Sequence, residues 1–214
     1  TGSSATRTAK KSIPCNGVKK STTEFNEILR IVVDYLEGSY CKGGLSCGSK
    51  NSGETLWGLD RLNHVGPLDT AFWEKVDQVK NKPKKWNSSY PKPNDNPIIF
   101  NEYSKIIEND YNKFIKTYIK TPQILELINN DGLLKFNFIY ATFNGSVWFK
   151  GFSKLIESEY NSGKRTSDEL LKVFVDERIS GGYNAIKGVK EFAAKLIADT
   201  GVDIQKLVGL SPLC

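Results

Sequence analysis

A chain of 214 residues is long enough to bury a core of its own, which excludes a miniprotein dependent on metal or disulfide staples. Hydrophobic residues at 39% and charged residues at 25% are ordinary globular usage, and no apolar run reaches the ~18–20 residues of a bilayer span, so a chain disordered throughout and a membrane-spanning helix are excluded too. With 30 Lys and Arg against 24 Asp and Glu the net charge is +6, which favours acidic polymers as partners. No Met is present, even at position 1, and this predicts a processed or trimmed product whose start lies upstream.

Residues 1–20 carry Ser, Thr, Lys and Arg with few large apolar groups, and the pattern predicts a flexible basic arm. Ser21 and Glu24 have capping-box spacing, and Phe25, Ile28, Leu29, Val32 and Leu36 then recur at helical intervals until Gly38. From Gly38 to Gly58 the chain is rich in Gly, Ser and Thr without a helical stripe, which predicts a loop or small hairpin. Helix resumes near Asp69 and Thr70 through Phe72, Trp73 and Val76. Residues 81–97, with Pro83, Pro91, Pro93 and Pro97 among Asn, Lys and Ser, read as a linker and hinge between a lobe at 21–80 and a helical lobe at 98–214.

In the second half, Ile99, Tyr103, Ile106, Ile107, Phe114, Ile115 and Tyr118 form one stripe, which Thr121-Pro122 ends. Leu133 to Phe143 is apolar on most faces and predicts a buried central helix. After the Asn144-Gly145 break, Val147, Trp148, Phe152, Leu155 and Ile156 mark the next stripe. Ser167 is the expected cap of a helix carrying Leu170, Leu171, Phe174 and Val175, and short helices are expected around Phe192 and Ile204. The fold class is therefore mainly α with a small β or loop lobe.

Glu37 ends the first helix immediately before Gly38. A carboxyl there faces the negative end of the helix dipole, and aromatic neighbours such as Tyr35, Tyr40 or Trp57 would desolvate it; both effects raise its pKa. A carboxylic acid kept protonated near neutral pH is the proton donor that glycosidic cleavage requires. The lone histidine, His64, rules out multi-His metal sites, and its i,i+4 spacing from Asp60 predicts a local contact. No phosphate-binding glycine loop is present, and neither a cofactor nor a metal is expected. The cationic stretch Lys80–Lys92, with Trp86 and Tyr90, lacks a nucleic-acid-binding motif, so nucleic acid is not an expected partner.

Glu37-Gly38-Ser39-Tyr40, followed after a short loop by Ser52-Gly53-Glu54-Thr55-Leu56-Trp57-Gly58-Leu59, resembles the N-terminal signature of the glycoside hydrolase family 108 muramidases, within the lysozyme-like superfamily. Tyr140–Lys150 is similar to the family's later pair of core helices around an Asn-x-Gly break. The resemblance implies a lysozyme-like helical domain at 21–214, a small lobe lining a cleft, Glu37 as catalytic acid, and bacterial peptidoglycan as substrate. The second group would be Thr55, which fits by position the role of holding the attacking water, or a carboxylate near in sequence, Glu54, Asp60 or Asp34, the last one turn before Glu37 and placed to tune it; Tyr40, Trp57 and Arg61 are the expected sugar contacts. Where the family has an Asp ahead of its Gly-Gly pair, this chain has Lys50 or Asn51.

That departure supports an alternative, a non-catalytic wall-binding or structural module of a phage tail or injection device. Either reading implies an extracellular, periplasmic or virion-associated protein. The four cysteines allow three pairings; Cys41 with Cys47 would close a glycine-rich loop, and Cys15 with Cys214 would tie the ends.

Overall fold

Helix-forming periodicity dominates the chain, and the computed structural model, which describes residues 21–35, 40–41, 53–80, 86–87, 89–176 and 189–206, is mainly α. Among those residues are α1 (Ser21–Tyr35), a hairpin of β1 (Thr55–Leu56) and β2 (Leu59–Asp60), α2 (Pro67–Val79), α3 (Pro97–Tyr118), α4 (Pro122–Asn130), α5 (Gly132–Phe143), α6 (Ser146–Asn161), α7 (Ser167–Asp176) and α8 (Val189–Thr200). Short 3-10 turns lie at Pro93–Asp95 and Ile204–Lys206. No described helix is long and apolar enough to cross a membrane.

The helix boundaries follow local chemistry. Pro67, Pro97 and Pro122 open α2, α3 and α4, positions where a missing N–H leaves no intrahelical bond unmade. Asp131 caps α5 by accepting from Leu134 N at 2.8 Å. For α7 the cap falls one residue earlier than the Ser167 reading: Thr166 Oγ1 accepts from Glu169 N at 3.3 Å, while Glu169 Oε2 accepts from Thr166 N at 3.0 Å. This reciprocal capping box satisfies two backbone donors that a lone Ser167 would leave unpaired.

The central position belongs to α5, in which every residue from Gly132 to Thr142 is buried. The helices α1, α3, α4, α6, α7 and α8 and the Ile204 turn all pack against it. At its N-terminus, Gln205 Oε1 accepts from Gly132 N at 2.9 Å, and a Cβ at Gly132 would lie 2.0 Å from Ile204 O. That approach requires glycine for space.

The expected stripe of α6 is corrected. The stripe of α6 is built on Phe149, Phe152, Ser153 and Ile156, while Val147 is 80% exposed. Gly145, at φ 92°, is the N-cap of α6, and its carbonyl accepts from Phe149 N at 3.2 Å. The 81–97 connection is described at residues 86–87 and 89–97. Trp86, Pro91 and Pro93 are buried, and one continuous hydrophobic cluster joins Phe72 and Trp73 of α2 to Phe100 and Tyr103 of α3. Trp86 of the connection belongs to that same cluster. Residues 1–20, the expected arm, lie outside the described residues. Cys41 carries no free thiol, and Cys15, Cys47 and Cys214 lie outside the described residues.

Gly132→Ala is expected to cost about 1–3 kcal/mol in urea denaturation, since the added methyl meets backbone that cannot rotate away. Gly151→Ala, in α6 with nothing within 4 Å of the new Cβ, is expected to be neutral or stabilising by up to about 1 kcal/mol. Equal responses of the two variants would show that the Ile204 turn is not seated on α5.

Candidate functional site

The hairpin is the organising element of the site. Thr55 pairs with Asp60 and Leu56 with Leu59, across a two-residue turn at Trp57 and Gly58 whose φ angles are 49° and 80°. Positive φ at both turn residues matches the twist of a tight hairpin, but tryptophan is an uncommon occupant. Its neighbours hold it there. Trp57 Nε1 donates to Pro91 O at 3.0 Å, Tyr103 OH donates to Trp57 O at 2.8 Å, and the indole lies edge-on to Tyr103 and Phe100 with centroids 5.3 and 5.9 Å away.

Trp57 is 0% exposed. The sequence reading placed it toward the sugar; in the structure it is a core anchor with no face open to stack on a ligand, because the turn folds the indole under the hairpin onto α3. Trp73 is also buried, as its helical stripe predicts.

Tyr40 extends the hairpin, forming an antiparallel bridge with Leu56, while Cys41 N donates to Thr55 O at 3.0 Å. Its hydroxyl donates to Glu54 Oε1, and Lys80 Nζ donates to the same oxygen. Arg61 Nη1 donates to Glu54 Oε2 at 2.8 Å, and its guanidinium also grips Asp77 through contacts of 2.8 and 2.6 Å. The Arg61 guanidinium sits 5.2 Å from the centre of a Trp73 ring, a cation–π arrangement. Tyr40, Glu54 and Arg61, all expected near the site, are therefore brought together.

Asp77, and Lys80 from the cationic stretch, complete the cluster, and neither is among the site residues expected from the sequence. The signal was partly available: Trp73 and Asp77 have i, i+4 spacing on α2, and Lys80 follows at its C-cap.

Electrostatics fix Glu54 as an anion. Burial alone would raise its pKa, but the hydrogen bonds from Lys80, Tyr40 and Arg61 outweigh it and hold the carboxyl below its ordinary value. Burial and the adjacent carboxylate push the Tyr40 phenol up. Burial opposes the Lys80 ammonium, yet Glu54 keeps its pKa above the usual lysine value. Arg61 lowers the Asp77 pKa directly. An ionised Glu54 with three donors is an acceptor and organiser, not a proton donor.

Asp60 is engaged in shaping the turn after β2. Its Oδ1 accepts from Leu62 N at 2.8 Å and Gly53 N at 3.2 Å, and its Oδ2 from Asn63 Nδ2 at 3.0 Å. The expected side-chain contact between Asp60 and His64 does not form. His64 Nδ1 lies 3.3 Å from Asp69 Oδ1, while only its backbone N–H reaches Asp60 O, at 3.0 Å, because the turn directs the imidazole toward the start of α2. Thr55 is buried on β1. Near the end of α1, burial raises the Asp34 pKa against the opposing charges of Lys92 and Arg30. Glu37 lies outside the described residues. Among the described residues, no group of three or more His, Cys, Asp and Glu side chains is placed to hold a metal ion.

Two outcomes follow from this geometry. Glu54→Gln is expected to cost about 1.5–3 kcal/mol at pH 7, the usual range for a hydrogen bond to a charged group. A carboxylate with a depressed folded-state pKa stabilises above the ordinary value of 4.5 and loses that contribution as pH falls through its folded-state value. The stability gap between parent and Glu54→Gln should therefore narrow on acidification below about pH 4.5; a constant gap would contradict the assignment. Trp57→Ala should lose about 3–5 kcal/mol by thermal or urea unfolding, the signature of a core anchor, and a stability change under 1 kcal/mol would refute that role.

Comparison with protein-family models, with curated proteins and with solved structures finds no match for the chain, so the likeness read at Glu37–Leu59 stands on those residues alone.

Proposed function

We propose that the chain is a peptidoglycan hydrolase of muramidase type, with a lysozyme-like cleft in which Glu37 protonates the departing glycosidic oxygen. The observation that carries this reading is the position of Tyr40. It closes the segment Glu37-Gly38-Ser39-Tyr40, and it is joined both to Leu56 and to Glu54, so the end of the first motif meets the hairpin formed by the second. Glu37 precedes Tyr40 by three residues, a covalent tether of at most about 11 Å.

In this reaction the Glu37 proton passes to the leaving sugar oxygen as the bond to the anomeric carbon breaks. Water adds to that carbon from the other side, positioned by Thr55, and releases its proton to solvent or a neighbouring base. Glu54 holds Tyr40, Lys80 and Arg61 in place beside the reacting groups. A net charge of +6 favours a wall that carries carboxylates and phosphates.

Glu37→Gln preserves shape but cannot donate the proton. It should lower the release of soluble glycan fragments from purified peptidoglycan by at least about 100-fold, the minimum usual for a lost general acid. Digestion at the parent rate would overturn the proposal.

A second reading is favoured by one observation: Glu54 and Asp60 are both fully engaged, which leaves neither hairpin carboxylate available as a base. It makes the chain a non-catalytic wall-binding module of a phage tail or injection device. Sedimentation of the parent chain with peptidoglycan, with no muropeptide detected by mass spectrometry, would favour this reading over hydrolysis.

A further inference from the structure

The far end of α3 carries a second feature unrelated to the hairpin. There, Thr117 and Tyr118, the joint residue Lys120, and Lys150, Lys154 and Ser158 of α6 line an open groove of about 450 Å³. Tyr118 lies 15 residues beyond Tyr103, which touches Trp57, so about 22 Å of helix separates the groove from the hairpin.

The groove is cationic by construction. Lys120, Lys150 and Lys154 are exposed, and none makes an ion pair with a described residue; the Lys120 ammonium reaches only Lys116 O, at 3.3 Å. Lys150 and Lys154 are one turn apart and share a face of α6. The carboxylate in the groove, Glu157, forms no ion pair with them, and one carboxylate against three ammonium groups leaves the lining net positive. Its Oε1 accepts from Lys120 N and Thr121 N at 3.0 and 3.1 Å, and its Oε2 from Thr121 Oγ1. It caps the N-terminus of α4, where an anion is stabilised by the helix dipole.

The aromatic content argues against bases as ligands. Tyr118 is the groove's aromatic residue, and its ring packs on Phe114 and Phe149 with centroids 6.1 Å away in each case. Single-stranded nucleic acid needs open stacking faces beside its cationic track, and this groove supplies ammonium and hydroxyl groups instead.

We propose that this groove binds a polyol phosphate chain, the anionic accessory polymer of a bacterial wall, and so anchors the protein on its substrate. Lys120, Lys150 and Lys154 meet phosphodiester charges, and Thr117 and Ser158, which also line the groove, face the polymer's hydroxyls. The choice of polymer rests on the peptidoglycan reading above.

The test uses the full chain carrying Glu37→Gln, so that retention does not depend on cleavage, with purified glycerol phosphate teichoic acid as probe. Replacing Lys120, Lys150 and Lys154 together by Gln should weaken binding at least tenfold and flatten its salt dependence. A charge-matched variant, Lys172→Gln, Lys195→Gln and Lys206→Gln, also exposed, should stay within twofold of the parent. Unchanged binding in the groove variant, equal loss in the control, or equally tight binding of single-stranded DNA would each overturn the proposal. A negative result here leaves the glycan cleavage assay standing, and failure of cleavage leaves the binding result standing.

Discussion

Burial of α5 on nearly all sides is the constraint from which the rest of the molecule follows. A helix whose residues from Gly132 to Thr142 are all buried must be enclosed by others, and burying its apolar side chains supplies the main driving force for assembling them. The enclosing elements come from both ends of the chain, α1 on one side and α8 with the Ile204 turn on the other. The interior is therefore closed by long-range contacts, and the close fit at Gly132 is where the last of these is seated.

Among the enclosing helices, α3 has the greatest consequence for function. Its first half supplies Phe100 and Tyr103, which hold the Trp57 turn, and its last residues border the cationic groove. A single helix of 22 residues thus sets the spacing between the candidate catalytic hairpin and the proposed anchoring groove. Because an α-helix is stiff over this length, the two features keep a fixed separation along it.

The hairpin site illustrates how one carboxylate organises several cations and a phenol. Glu54 is partly buried, and an unpaired charge in that position would be costly; Lys80, Arg61 and Tyr40 satisfy it, and Asp77 balances Arg61 in turn. The same pairing that makes Glu54 a strong organiser removes it from acid catalysis near neutral pH. If Glu37 is the acid, its chemistry depends on an environment unlike that of Glu54, with few donors and less solvent.

Much of the fold was legible in the sequence because helix stripes and stop signals are local. Proline at helix starts, the Asn144-Gly145 break and the apolar Leu133–Phe143 run each carry their meaning within a few residues. The grouping of Tyr40 with Glu54 and Arg61 was visible as a motif. Their hydrogen bonds were not, nor was the contribution of Asp77 and Lys80, which depends on α2 packing beside the hairpin. Trp57 shows the limit most clearly: its exposed or buried state is absent from the turn sequence and is decided by Pro91 and Tyr103, 34 and 46 residues away. By itself the sequence determined which segments are helical, the mainly α class and a net basic charge, since these arise from local sterics and composition. Only tertiary structure decided which side chains are buried, which carboxylates are engaged and where unpaired lysines meet, because each depends on contacts between segments distant in the chain.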